Sequence, residues 1–202
     1  MLRGKPDRGA AVRLAPEHLR PEWFARLDLL HLPAYSLLDR PLGEAGRRAA
    51  ELAHAAGALV TVDLASAAPL LALGRRAAVG VIRGAAPDLL FAAGTEARAV
   101  APTDADLLEL APVVVLKRGA KGATILHREA EGRRVGRLEV ATKPVAAADT
   151  TGAGDAFDAG FILGWLAARA EGVSATAALR RGVLVGHRLA SRQLTAPRQE
   201  LS

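Results

Sequence analysis

The sequence predicts an α/β fold: a mostly parallel sheet flanked by helices, with one antiparallel hairpin. Three observations carry that expectation. An apolar run at 27–32, a helical pattern at 43–56 and a second apolar run at 59–63 follow one another with short joints. Strand, helix and strand in that order make a βαβ unit, hence parallel pairing and a right-handed crossover. Val113-Val114-Val115-Leu116 is continuous and β-branched, the pattern of a strand buried on both faces. Two strand-like runs, 123–127 and 135–141, flank a polar turn at 129–134, which places an antiparallel hairpin near 123–141.

The elements follow in order. Residues 1–21 read as irregular, broken by Pro6, Pro16 and Pro21. The run at 27–32 reads as a buried strand ended by Pro33. The helix over 43–56 places Ala45, Ala49, Leu52, Ala53 and Ala56 on one face, and Gly57 closes it. A weaker helical pattern covers 69–78, and 88–92 reads as the third strand. Thr103 is a plausible cap for a short helix over 103–110. After the hairpin come two long helices, 153–169 and 174–192, and the tail beyond Thr195 reads as frayed. Neither repeats nor low-complexity linkers interrupt the chain, so residues 1–202 are expected to form a single domain.

Composition narrows the function classes. A chain of 202 residues is long enough to bury roughly 70% of its unfolded surface. Apolar residues make up 50% but aromatics only 3%, so the core is expected to be rich in small residues. The absence of Cys excludes disulfides and thiolate metal sites, and fits a reducing, cytoplasmic setting. No apolar run reaches the length of a membrane span. The net charge of +6 comes from Arg residues scattered singly or in pairs, with no aromatic interleaving, which argues against nucleic-acid binding.

The stretch Asp149-Thr150-Thr151-Gly152-Ala153-Gly154-Asp155-Ala156-Phe157-Asp158-Ala159-Gly160 carries the chemistry. Two glycines let the backbone turn tightly and bring its N–H groups close to a ligand. Phe157, Phe161, Trp165 and Ala168 then fall on one helical face. A Gly-rich turn opening into a helix makes an anion site, since unpaired N–H groups and the positive end of the dipole converge. A carboxylate at that mouth, Asp155, repels a phosphate, so plain phosphate binding would not select it. A base for the attacking hydroxyl would sit there. The plainer alternative makes Asp155 a first-turn charge that complements the helix dipole.

This twelve-residue stretch resembles the C-terminal signature of the ribokinase, or PfkB-type, carbohydrate kinases. The resemblance implies a ribokinase-like fold and transfer of a phosphoryl group from ATP to a sugar hydroxyl, with ATP, Mg2+ and a sugar as ligands. It makes Asp155 the base and the Gly152, Ala153 and Gly154 N–H groups the anion hole. Lys117-Arg118-Gly119-Ala120-Lys121-Gly122 follows the fourth strand, where ligands of parallel sheets bind, and is similar to the family's ATP-binding segment. Lys117, Gly119, Ala120, Lys121 and Gly122 would then contact nucleotide; otherwise the segment is a tight turn with solvated lysines. Glu96 matches the family's magnesium-organising glutamate, whereas Ala93 replaces the Asn usual three residues earlier. Asp149 with the Thr151 carbonyl matches a monovalent-cation site in several members; equally, Asp149 caps its own turn through the Thr151 N–H. The five histidines lack ligand spacing, and His187 reads as a core-edge residue.

The resemblance covers the later part of the family fold, so the chain is expected to be N-terminally truncated, without the early strands, the lid and the sugar-binding Gly-Gly motif. Two expectations follow. The 202-residue chain either transfers phosphate to sugars only negligibly or is a silent remnant that binds nucleotide or a partner protein. The strand at 27–32 is left as a bare sheet edge, open to self-association, which light scattering would reveal as a concentration-dependent mass.

Overall fold

The computed structural model describes residues 10–128, 135–147 and 149–195. The chain divides into two compact units, Met1–Val114 and Val115–Ser202. In the first, strands β1 (Leu29–Pro33), β2 (Leu59–Asp63) and β3 (Leu89–Ala93) run parallel, with Leu29 opposite Leu59 and Thr61 opposite Leu89. Helix α1 (Leu42–Ala55) joins β1 to β2, so the βαβ unit forms as the sequence pattern requires. Val60, Val62, Leu89, Leu90 and Phe91 are fully buried around it.

Three local differences have physical causes. The strand at 27–32 was expected to be buried, but β1 is only half-buried with His31 exposed, because among the described residues it is terminal in the strand order and pairs with β2 alone. On α1, Ala45, Ala49, Leu52 and Ala53 are buried, whereas Ala56 is exposed, because the helix ends at Ala55 and turns at Gly57 (φ +80°). The helix expected over 69–78 is two helices, α2 (Ala67–Leu73) and α3 (Arg75–Gly84), split where Gly74 adopts φ 85°, ψ 140°. The segment after β3 is a short helix, α4 (Gly94–Val100).

Helix α5 (Asp104–Leu107) is shorter than expected but capped as expected. The Asp106 N–H donates to Thr103 Oγ1 (3.2 Å) while the Thr103 N–H donates to Asp106 Oδ2 (3.1 Å). Of the stretch 1–21 read as irregular, the described part carries three short 3-10 turns, the last reaching Trp23; 1–9 lie outside the described residues.

Strand β4 (Val113–Lys117) leads into the second unit. Val114 and Val115 are buried but Val113 and Leu116 only half so, short of the burial on both faces that its composition suggested. Strands β5 (Ala123–Arg128) and β6 (Val135–Val140) form the expected antiparallel hairpin, Ala123 opposite Val140 and Arg128 opposite Val135. Its turn at 129–134 and the tail beyond Thr195 lie outside the described residues. Parallel pairing of β1, β2 and β3 in the first unit and the antiparallel hairpin in the second make this a mixed α/β fold, as expected. Among the described residues no helix is long and apolar enough to cross a membrane.

Helices α6 (Ala153–Ala170) and α7 (Ala175–Thr195) pack side by side, α6 burying Phe157, Phe161, Trp165 and Ala168 as their spacing predicts. Their backbones meet at glycines. A Cβ on Gly160 would lie 2.8 Å from both Gly186 Cα and Val185 O, backbone atoms that cannot yield cheaply. Gly160→Ala is therefore expected to destabilise the fold by about 1–3 kcal/mol. Gly80, in α3, has open space around it, so Gly80→Ala should instead stabilise by about 0.5–1 kcal/mol. Urea unfolding of the two variants checks both signs.

Candidate active site

The site residues of the second unit are positioned by the turn that opens α6. Gly152 caps the helix in the left-handed region (φ 78°, ψ −3°), a conformation that favours glycine. Asp149 Oδ1 accepts from the Thr151 N–H (2.8 Å) and the Thr151 hydroxyl (2.7 Å), so the Asx bond weighed from sequence does form. The Ala153 N–H donates to Thr150 O (3.2 Å), and the first intrahelical bond runs from the Ala156 N–H to Gly152 O (2.9 Å). That geometry leaves the N–H groups of Gly154 and Asp155 without an intrahelical acceptor. Gly154 and Asp155 are exposed, and the Asp155 carboxylate stands in the first turn.

The loop after β4 faces the same region. The Arg118 N–H donates to Gly122 O (2.8 Å), closing a tight turn around the 3-10 segment Gly119–Lys121. Gly122 has φ +90°, and a Cβ there would lie 2.1 Å from Val140 O, so no other residue fits. Arg118 Nη1 donates to Thr124 Oγ1 (2.8 Å) and Glu139 Oε1 (3.0 Å), tying the loop to the hairpin. Lys117 Nζ donates to Asp158 Oδ2 at 3.0 Å, beneath the glycine turn.

Between these parts lies a cavity of about 300 Å3. Lys117, Gly119, Ala120 and Gly122 line it from the β4 loop, and Thr150, Ala153 and Gly154 from the turn. Phe157 of α6, His187, Ala190, Ser191 and Leu194 of α7, and Thr142, Lys143 and Val145 before the turn complete the lining, with Arg118. An apolar cavity with a few convergent polar groups is the usual form of a small-molecule site.

Of the residues singled out from sequence, Lys117, Gly119, Ala120, Gly122, Ala153 and Gly154 thus come together on one cavity. Gly152 and Asp155 flank Ala153 and Gly154 in the chain without lining it, and Lys121 is exposed. Glu96 lies in the first unit at the third position of α4, where its Oε2 accepts from the Ala93 N–H (2.6 Å) and caps its own helix. Among the described residues no group of three or more His, Cys, Asp or Glu side chains is placed to hold a metal ion.

Sequence reasoning missed Asp158 and gave His187 no site role. Asp158 carried one legible signal: an acid between Phe157 and Phe161 on the buried stripe of a helix. His187 lies against Phe157, ring centroids 5.3 Å apart, and both ring nitrogens are buried without a hydrogen-bond partner among the described residues. Burial holds this imidazole below the usual histidine range.

This fold and this arrangement of loops are those of a ribokinase-like α/β protein. The chain belongs to the pfkB family of carbohydrate kinases, whose family model matches residues 6–199. Among solved structures it is similar to adenosine kinase from Sinorhizobium meliloti (24% identity, TM-score 0.73, 92% of this chain and 54% of that one). It is likewise similar to aminoimidazole riboside kinase from Salmonella enterica (21%, TM-score 0.72, 92% and 62%). A third likeness is to an E. coli protein, provisionally assigned as ribokinase II, in complex with ATP and Mg2+ (21%, TM-score 0.71, 92% and 58%). At these identities the likeness establishes the fold, and the chain spans 54–62% of the length of these three proteins.

His187 generates a pH prediction. Its pKa is lowered on folding, so between that value and the unfolded one, about 6.5, the unfolded chain binds more protons. This contribution to stability is complete above pH about 6.5 and is lost as pH falls through that window. The urea midpoint is expected to drop on going from about pH 7.5 to 5.5. His187→Leu should lose part of that slope, and an identical slope in the variant would refute the assignment.

Proposed function

We propose that the second unit holds the phosphates of Mg-ATP and that the protein transfers a phosphoryl group to a hydroxyl of a sugar-type substrate. One observation carries the reading: the α6 turn presents two N–H groups without intrahelical acceptors, and Asp155 stands beside them. Donors aimed at developing phosphate charge are the main source of catalysis in such transfers. The Gly154 and Asp155 N–H groups would serve as donors together with Gly152 and with Ala153, whose N–H is partly engaged by Thr150 O. Asp155 would accept the proton from the attacking hydroxyl once bonding to phosphorus has begun.

Lys117, Gly119, Ala120, Lys121 and Gly122 would hold the nucleotide, with its base in the apolar part of the cavity against Phe157 and Leu194. Mg2+ is commonly bound through substrate phosphates and only one or two carboxylates. Glu96 is the carboxylate proposed to organise the ion, which would neutralise charge on the phosphates. Asp149 with the Thr151 carbonyl remains the seat proposed for a monovalent cation. On this reading the 202 residues act as one domain in the cytoplasm.

A second reading, nucleotide or partner binding without turnover, is favoured by Ala93. Glu96 spends one oxygen on the Ala93 N–H, and no amide side chain stands at that position. The two readings part at Asp155. Calorimetry is expected to give Mg-ATP binding in the micromolar to millimolar range for both the parent and Asp155→Asn. In any length of the protein that phosphorylates sugars, Asp155→Asn should lower turnover by about two orders of magnitude or more. Turnover indifferent to that change would defeat the kinase mechanism; binding without turnover would favour the second reading.

A further inference from the structure

The ion pair at the edge of the cavity is a poor fastener. Lys117 Nζ sits 3.0 Å from Asp158 Oδ2, with side chains only 16% and 2% exposed. Two charges withdrawn from water recover little of their lost hydration from each other, and apolar groups of similar volume commonly hold a core as well or better. Phe157 and Phe161 beside Asp158 make such a replacement natural. Its location gives the pair another use. The Lys117 ammonium is 3.7 Å from the point where a Cβ on Gly154 would stand. It thus approaches the N–H groups that α6 leaves without intrahelical acceptors. An ammonium and the N-terminus of an 18-residue helix converge on one edge of the cavity, and both favour an anion.

A lysine charge rides on a flexible four-carbon stem and is strongly hydrated, so it needs a partner to keep it in place. We propose that Asp158 is a positioning residue that holds the Lys117 ammonium against the Gly154 turn, where it donates to the polyphosphate of a bound nucleotide. Asp158 itself touches no ligand. The inference rests on the nucleotide reading above and adds the residue that aims its cation. It also separates geometry from charge. Replacing Asp158 by a neutral side chain raises the net positive charge of the seat, so charge alone calls for tighter polyphosphate binding. Positioning calls for weaker binding.

The test is a double-mutant cycle on the full chain, with Mg-ATP affinity read by calorimetry and stability by thermal melting. Asp158→Asn and Lys117→Met are each expected to weaken Mg-ATP binding by about tenfold or more, the scale of a charged hydrogen bond. Both single variants should melt lower, because each removes one member of a buried ion pair. The double variant should recover its melting temperature while its affinity stays as low as that of Lys117→Met. Asp158→Glu, which keeps the charge but moves the ammonium, should also bind more weakly and serves if Asp158→Asn fails to fold. Unchanged or tighter binding by Asp158→Asn or Asp158→Glu would overturn the inference, as would a double variant that regains affinity along with stability. A parent that does not bind Mg-ATP would overturn the nucleotide reading and this inference with it; a parent that binds while the variants bind equally overturns this inference alone.

Discussion

The close approach of α6 and α7 is the constraint on which the second unit depends. Gly160 and Gly186 let two backbones touch where any side chain would force them apart. That contact fixes the axis of α6, and with it the direction in which the turn at Gly152 points its N–H groups. It also brings His187, Ala190, Ser191 and Leu194 of α7 to the wall of the cavity beside Phe157. A chain with few aromatics builds a core from small residues, and here smallness serves geometry as much as volume.

Around that contact the polar groups are arranged at some expense. Lys117 and Asp158 are buried as a pair, and burial holds His187 below the usual histidine range. Arg118 is committed to Thr124 and Glu139, which stiffens the loop whose glycines lie along the cavity. Phosphoryl transfer gains most of its rate from positioned donors and charges rather than from covalent chemistry of the protein. A unit that spends buried charge on holding one ammonium near one helix terminus is suited to that task.

Much of this was legible in the sequence. The βαβ unit announced itself through two apolar runs with an alanine-faced helix between them, and the hairpin through paired strand patterns. The turn at Gly152 was legible because glycine spacing, a following amphipathic face and a misplaced-looking acid coincide there. The rest depended on partners distant in sequence. Nothing local says that β1 has only one neighbour among the described residues, or that Gly74 splits a helical run instead of riding within it. Asp158 gains its meaning from Lys117, 41 residues earlier. His187 became part of the cavity wall only through the packing of α7 on α6, a tertiary fact with no signature of its own.

The central claim is that the turn before α6 and the loop after β4 together cradle a nucleotide. Titrating the isotopically labelled chain with Mg-ATP and following backbone amide resonances tests it most directly. The account predicts saturable shifts centred on the Gly119, Gly122, Gly154 and Asp155 amides and their neighbours. Saturation with those four amides unmoved, or no saturable shift anywhere at several millimolar nucleotide, would contradict it.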